Sequence, residues 1–307
     1  MSKKHKEQKL GAVGSATMAQ KALREIGEAA EGVGPIILCG RSSPVEQVRA
    51  ALLEAKLSNT SAVEAYAIRR LRPDDRDQLR RASVIVYGGE AAHRLDDETR
   101  ADLEVVGRLG RPLVVVLEGV DLPMDASVEA ARVRGVEPEN VVAVKRGHFP
   151  EKRVLHEIAK KAGHSGPALA ARLPALRKAV VESIIETASR RNAVIAAAIW
   201  IPGADLPVLA AVEMRMVLQI GVCYGVEIGP DRAVELLTLL GAGFGLRAAA
   251  RELLDVVPIA GWVVKGGVAY TGTLALGRAA VEYFERGAPA SVSHLREKAE
   301  ELKELRG

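Results

Sequence analysis

Between residues 34 and 163, short apolar runs rich in β-branched residues alternate with longer charged stretches of helical period. The runs are Pro35–Cys39, Ala62–Ala67, Ser83–Tyr87, Leu113–Leu117 and Val141–Val144. Continuous apolar strands of this kind, each followed by a helix-period segment, predict a parallel sheet covered by helices on both faces. The helices are predicted over Pro44–Leu57, Asp96–Leu109, Ala126–Val133 and Glu151–Ala162, and the almost wholly charged Leu71–Arg81 reads as a solvated loop or short helix. From Pro167 onward the strand pattern ceases. Helices are predicted there over Leu173–Trp200, Leu206–Tyr224, Pro230–Leu240, Gly245–Val256, Ile259–Phe284 and Val292–Leu305. Pro202-Gly203, Gly229-Pro230-Asp231 and Gly287-Ala288-Pro289 mark the joints.

The fold class is therefore α/β followed by all-α: a trimmed, doubly wound parallel sheet, then a Gly/Ala-rich helical domain. The boundaries follow as a polar basic leader over 1–33, an α/β domain over 34–163, a helical domain over 164–287 and a charged terminal helix over 288–307. The leader opens with Lys3, Lys4, Lys6 and Lys9 and has no apolar run behind them, so it is not a secretory signal. It reads as a frayed tail ending in a short helix around Ala19–Ala30, or as a basic contact to anionic lipid head groups.

Composition changes the picture in the second half. Residues 193–280 contain 13 charged residues in 88, while the whole chain is 27% charged. Gly241, Gly243, Gly245, Gly261, Gly266, Gly267, Gly272 and Gly277 lie in or beside predicted helices. In water each costs up to about 1 kcal/mol relative to alanine, whereas small residues let helices in lipid approach closely. No segment reads cleanly as a span: Val256–Gly277 carries Lys265 near its centre and Pro258 near its start, and Ala193–Val212 is interrupted by Pro202, Asp205 and Pro207. Two expectations stand side by side, a tightly packed soluble helical domain and a domain inserted in, or lying on, a membrane. Asp205, Glu213, Arg215 and Lys265 are the charges of interest, because buried charges pair or face a partner or a water-filled cleft. Lys265 is expected to pair with Asp205 or Glu213, or else to snorkel to solvent.

Forty-three Lys and Arg against 39 Asp and Glu leave a formal charge of +4 with no long basic face, which gives no footprint for nucleic acid. Cys39 and Cys223 stand far apart, in neither a metal spacing nor a disulfide framework. His148, His156 and His164 are eight residues apart, not the three or four of a ligand pair on one helix face, and His5, His93 and His294 are scattered. No metal and no cofactor is expected. Asp96, Asp97 and Glu98 precede a helix and suit its N-terminus. Gly241-x-Gly243-x-Gly245 lacks the spacing of a dinucleotide fingerprint and reads as a packing or turn feature.

The first strand ends Ile36-Ile37-Leu38-Cys39-Gly40 and is followed by Arg41-Ser42-Ser43-Pro44 and a helix, the place of a phosphate-binding loop. Counted from Gly40, the loop's second Gly, its Lys and its Ser/Thr fall on Val45, Glu46 and Gln47. Amides that wrap phosphate, the charge that neutralises it and the hydroxyl that holds magnesium are all lost; Ser42 and Ser43 fall to helix capping. Where a GTPase carries Asn-Lys-x-Asp this chain has Glu118-Gly119-Val120-Asp121, so Asp121 alone survives. Val142-Ala143-Val144-Lys145 resembles the Ser-Ala-Lys strand end, with Lys145 kept. Arg72-Pro73-Asp74-Asp75 stands in the switch II place without Asp-x-x-Gly, and the chain before Ala62 is too short for a full switch I and its edge strand. In order and spacing, residues 34–163 resemble an Era-like small GTPase domain, trimmed and disarmed.

The second half carries the more specific resemblance. Ile201-Pro202-Gly203-Ala204-Asp205-Leu206-Pro207, Met214, Met216-Val217, Tyr224-Gly225 and Arg232-Ala233-Val234-Glu235-Leu236 are followed by Val257-Pro258-Ile259-Ala260-Gly261-Trp262, Thr271-Gly272-Thr273, Gly277 and Tyr283-Phe284. Over roughly residues 175–287 this resembles the bacterial domain of unknown function 697 of YcjF-type proteins. The resemblance implies association with GTPases and often with the cytoplasmic side of the inner membrane, and implies no reaction and no catalytic residues. The expected function is a non-catalytic, membrane-associated accessory or scaffold protein, with membrane lipid, a GTPase or a second copy as partner. The alternatives are a GTP-binding hydrolase with an atypical phosphate loop and a soluble oligomeric interaction protein.

Overall fold

Each of the five apolar runs forms a strand: β1 (Ile36–Gly40), β2 (Val63–Ala67), β3 (Val84–Glu90), β4 (Leu113–Glu118) and β5 (Val141–Val144). The computed structural model describes residues 21–22, 24–28, 32–53, 62–67, 75–91, 94–119, 123–198, 206–226 and 261–286. All strand pairs are parallel, in the order β2-β1-β3-β4-β5. An all-parallel sheet needs a crossover after every strand, and the charged stretches supply it. They form α2 (Ser42–Leu53), the one-turn α3 (Arg76–Leu79), α4 (Asp97–Gly107) and α5 (Pro123–Ala131), with α6 (Glu151–Ala162) after the last strand. The predicted strands and the helices bounding them are thus present, α6 over its predicted range.

Successive strand residues point to opposite faces. One face of the sheet buries Ile37, Cys39, Ile85, Tyr87, Val115 and Leu117 against Leu79 of α3, Leu103 and Val106 of α4 and Ala130 of α5. On the other, α2 and α6 lie together and cover the central strands. Their buried positions Val45, Val48 and Leu52, and Val154, Leu155 and Ile158, recur at the three- and four-residue spacing of a helix face. The sheet is therefore covered on both sides, as the unbroken apolar strands require.

Residues 29–183 make one compact unit, and residues 1–28 with 184–307 make a second. The first also contains α7 (Gly166–Arg172), and α8 (Pro174–Ala198) runs across the boundary. The second contains α9 (Leu206–Cys223), α10 (Gly261–Glu285) and a helix α1, whose described residues are 21–22 and 24–28. Ala196, Leu209 and Ala269 join α8, α9 and α10 in one apolar cluster. Gly277 brings α10 against Ile185 of α8, and Tyr224 stacks on Phe284 with ring centroids 6.0 Å apart. The short helix expected around Ala19–Ala30 is present in the described residues of α1, where Ala22 and Ile26 are buried against Met214 and Leu218 of α9.

No helix among the described residues is long and apolar enough to cross a membrane. The helices predicted over 230–240, 245–256 and 292–305, and the Gly241-x-Gly243-x-Gly245 motif, lie outside the described residues.

Candidate functional site

In a sheet of this order the strand sequence reverses between β1 and β3, and the crevice outside their carboxyl ends is where such folds bind ligands. The corner is built by Gly40. It holds φ +108, and a Cβ there would collide with the Gly88 carbonyl oxygen, so only glycine lets β1 turn into α2 this close to β3. The Arg41 amide then donates to the Gly88 carbonyl at 2.7 Å, and α2 begins at Ser42.

What fills the corner is protein. Glu118, the last residue of β4, is only 5% exposed. The Ser43 hydroxyl donates to its Oε2 at 2.6 Å, the Gln47 amide donates to its Oε1 at 3.4 Å, and the same amide donates to the Ser43 oxygen at 3.2 Å. A carboxylate thus sits beside the start of α2, where the positive end of the helix dipole favours an anion. Pro44 lies in the first helical turn and has no N–H to offer a phosphate. Glu90 stands directly across the β3–β4 register from Glu118 and adds a second carboxylate to the rim.

The neighbouring cation is engaged. The Arg41 guanidinium donates to Glu98 Oε2 at 2.8 Å and to Asp96 Oδ2 at 3.3 Å. Its burial works against the charged form, but Glu98 and Asp96 outweigh that and raise its pKa further. Asp96 is also the N-cap of α4, accepting from the Thr99 amide at 2.6 Å. Partial burial raises its carboxyl pKa, yet the Thr99 amide and Arg41 prevail and hold it below the ordinary carboxylate value. Cys39, one residue before the corner, is wholly buried, and burial, with Asp102 and Asp75, pushes its thiol far above the ordinary value. It is inert as a nucleophile at neutral pH. A shallow cavity of about 490 Å³ lies beside the corner, lined by Gln47, Ala50, Leu53, Phe149 and Glu151.

Of Gly40, Ser42 and Ser43, which make the turn from β1 into α2, Ser43 meets Glu118 and bonds its carboxylate where capping was expected. Lys145 is exposed at the end of β5, in a tight turn where its carbonyl accepts from the His148 amide at 2.9 Å and Gly147 holds φ +76. Asp121 lies outside the described residues. The sequence named Glu118 and Gln47 only as departures from GTPase motifs. Their complementarity, an acceptor and a donor, was visible, but not that β4 and α2 bring them into contact.

In the helical unit, Glu213 is buried at 5% exposure and accepts from the Thr273 hydroxyl at 2.8 Å. Thr273 in turn accepts from the Asn192 amide at 2.9 Å, so a polar chain links α9, α10 and α8. Arg215 pairs with Glu25 of α1 at 2.5 Å. Asp205 and the Lys265 side chain lie outside the described residues, and so does the predicted Lys265 pairing. Among the described residues no group of three or more His, Cys, Asp or Glu is placed to hold a metal ion.

Residues 162–306 match the family described as a domain of unknown function, DUF697. No curated protein and no solved structure matches the chain.

Proposed function

From a chain that carries a DUF697 domain over residues 162–306, we propose a non-catalytic accessory protein. Its α/β unit is a degenerate GTPase-like binding surface, and its helical unit attaches that surface to a membrane. The observation that carries the first half is Glu118, seated beside the start of α2 and held there by Ser43 and Gln47. A nucleotide phosphate at this corner would meet a buried carboxylate at contact distance, with the neighbouring Arg41 tied to Asp96 and Glu98. Two like charges about 4 Å apart repel by about 4 kcal/mol at an effective dielectric of 20, enough to cancel millimolar binding. The parallel order β2-β1-β3-β4-β5, shared with flavodoxin-like sheets, supports a GTPase-like sheet without its edge strand. The partner it presents itself to is a GTPase or a second copy.

Isothermal titration with GTP, GDP and ATP in the presence of magnesium tests this half. The expected result is no saturable binding. Tight magnesium-dependent binding would overturn it and favour a hydrolase with an atypical phosphate loop. The membrane half rests on the apolar, glycine-rich composition of residues 193–280 and on the DUF697 resemblance. It is tested by cell fractionation: recovery wholly in the soluble fraction would refute it and leave a soluble oligomeric interaction protein.

A further inference from the structure

The first helix is held by the last domain. Ala22 and Ile26 lie four residues apart, hence on one helix face, and both are buried against Met214 and Leu218, with Val222 packed alongside. Met214, Leu218 and Val222 recur every four residues and form an apolar stripe along α9. Beside the stripe, Arg215 meets Glu25 at 2.5 Å, with the two side chains 33% and 35% exposed. The recognition pattern is complete: an apolar pair with a carboxylate between them, against an apolar stripe flanked by a guanidinium.

Most of a helix's stability in a folded protein comes from packing its apolar face rather than from helix propensity. α9 therefore holds it in place, through two buried side chains and one half-exposed ion pair. Such peripheral elements open at a free energy well below that of global unfolding. On opening, α9 presents Met214, Leu218 and Arg215 as a site for an amphipathic helix.

We propose that this face of α9 is a helix-docking surface, occupied within the chain by α1, and that the partner it accepts is α1 of a second copy. The second copy's helix fits by identity, because it carries the same Ala22, Glu25 and Ile26. In sequence, residues 29–35 link α1 to β1, and exchange of an identical terminal element between protomers is a low-cost route to a dimer. This goes beyond the accessory role proposed above and stands independently of the nucleotide question.

The test uses charge reversal in full-length chains. In Glu25→Arg, α1 meets Arg215 as a like charge, and in Arg215→Glu, α9 meets Glu25 as a like charge, so each chain loosens its own latch. When the two are mixed, the now basic α1 of the Glu25→Arg chain complements the now acidic α9 of the Arg215→Glu chain. A tagged Glu25→Arg chain is expected to capture the Arg215→Glu chain at least about tenfold more than it captures an untagged Glu25→Arg chain, and 1 M salt is expected to reduce the preference. Joining both changes in one chain restores the latch and returns capture to the wild-type level. Both positions are partly exposed, and an unchanged far-UV spectrum verifies folding. Equal capture of the two chains, or no capture of either, overturns the proposal. So does retention of the preference after Ile26→Asp is added to the tagged chain, because the apolar half of the contact is then dispensable.

Discussion

α10 offers the same substitution in two settings, and the structure assigns them opposite signs. Gly267 is exposed and a Cβ there would meet nothing within 4 Å, whereas at Gly277 it would lie 2.7, 2.9 and 3.0 Å from three side-chain carbons of Ile185. Gly→Ala in a helix interior gains about 1 kcal/mol by propensity at either place. At Gly277 that gain is opposed by overpacking, which costs about 1–3 kcal/mol in a close-packed contact. Gly267→Ala is therefore expected to stabilise by about 1 kcal/mol and Gly277→Ala to destabilise by as much as about 2 kcal/mol. Urea denaturation followed by far-UV circular dichroism measures both, read as the shift of midpoint at constant slope. Ile185→Ala deletes all three of those carbons, so the Gly277→Ala/Ile185→Ala double variant is expected to lose less than the sum of the singles. Equal stabilisation by both alanines would refute the close approach of α8 and α10, and additivity of the double variant would refute Ile185 as its cause.

Three further outcomes follow from the same geometry. Thr273→Val removes the hydroxyl that links Asn192 to Glu213; it is expected to cost about 1–3 kcal/mol, less than additively with Asn192→Leu in the same denaturation assay. Asp96→Ala deletes the N-cap of α4 and is expected to cost about 1 kcal/mol at neutral pH. Because the folded-state pKa of Asp96 is lowered, its contribution is present above the unfolded value of about 3.9 and fades as pH falls through the lower folded value. The stability gap between wild type and Asp96→Ala should therefore close in acid, and a gap independent of pH would contradict it. Cys39 and Cys223 are both buried, so a thiol reagent at pH 8 is expected to label neither until denaturant is added; rapid labelling of Cys39 in the native protein would show that the β1 end opens.

The strands and the helices that follow them were legible because each is a local pattern. Pro35–Cys39 and Leu113–Leu117 are unbroken apolar runs that suit only a strand covered on both faces, and Glu151–Ala162 repeats its apolar residues at helical spacing. Its last turn carries Lys160 and Lys161, a favourable end for the dipole. The loss of phosphate chemistry was legible too, since Val45, Glu46 and Gln47 stand in countable positions after Gly40. What replaced it was not. The Ser43–Glu118 contact spans 75 positions and exists because β1 and β4 flank β3 in one sheet. The leader shows the limit most clearly. A short helix around Ala19–Ala30 was legible, but nothing in Ala22 and Ile26 announced that it is buried, and Arg215 reads as an isolated charge in an apolar domain. Only the fold, which carries the chain through a whole α/β unit before returning to α9, sets Arg215 beside Glu25 across 190 positions. Periodicity reports which side of an element is buried. The identity of its neighbour depends on topology, which is set by the free energy of the whole packed chain and is written in no local run of residues.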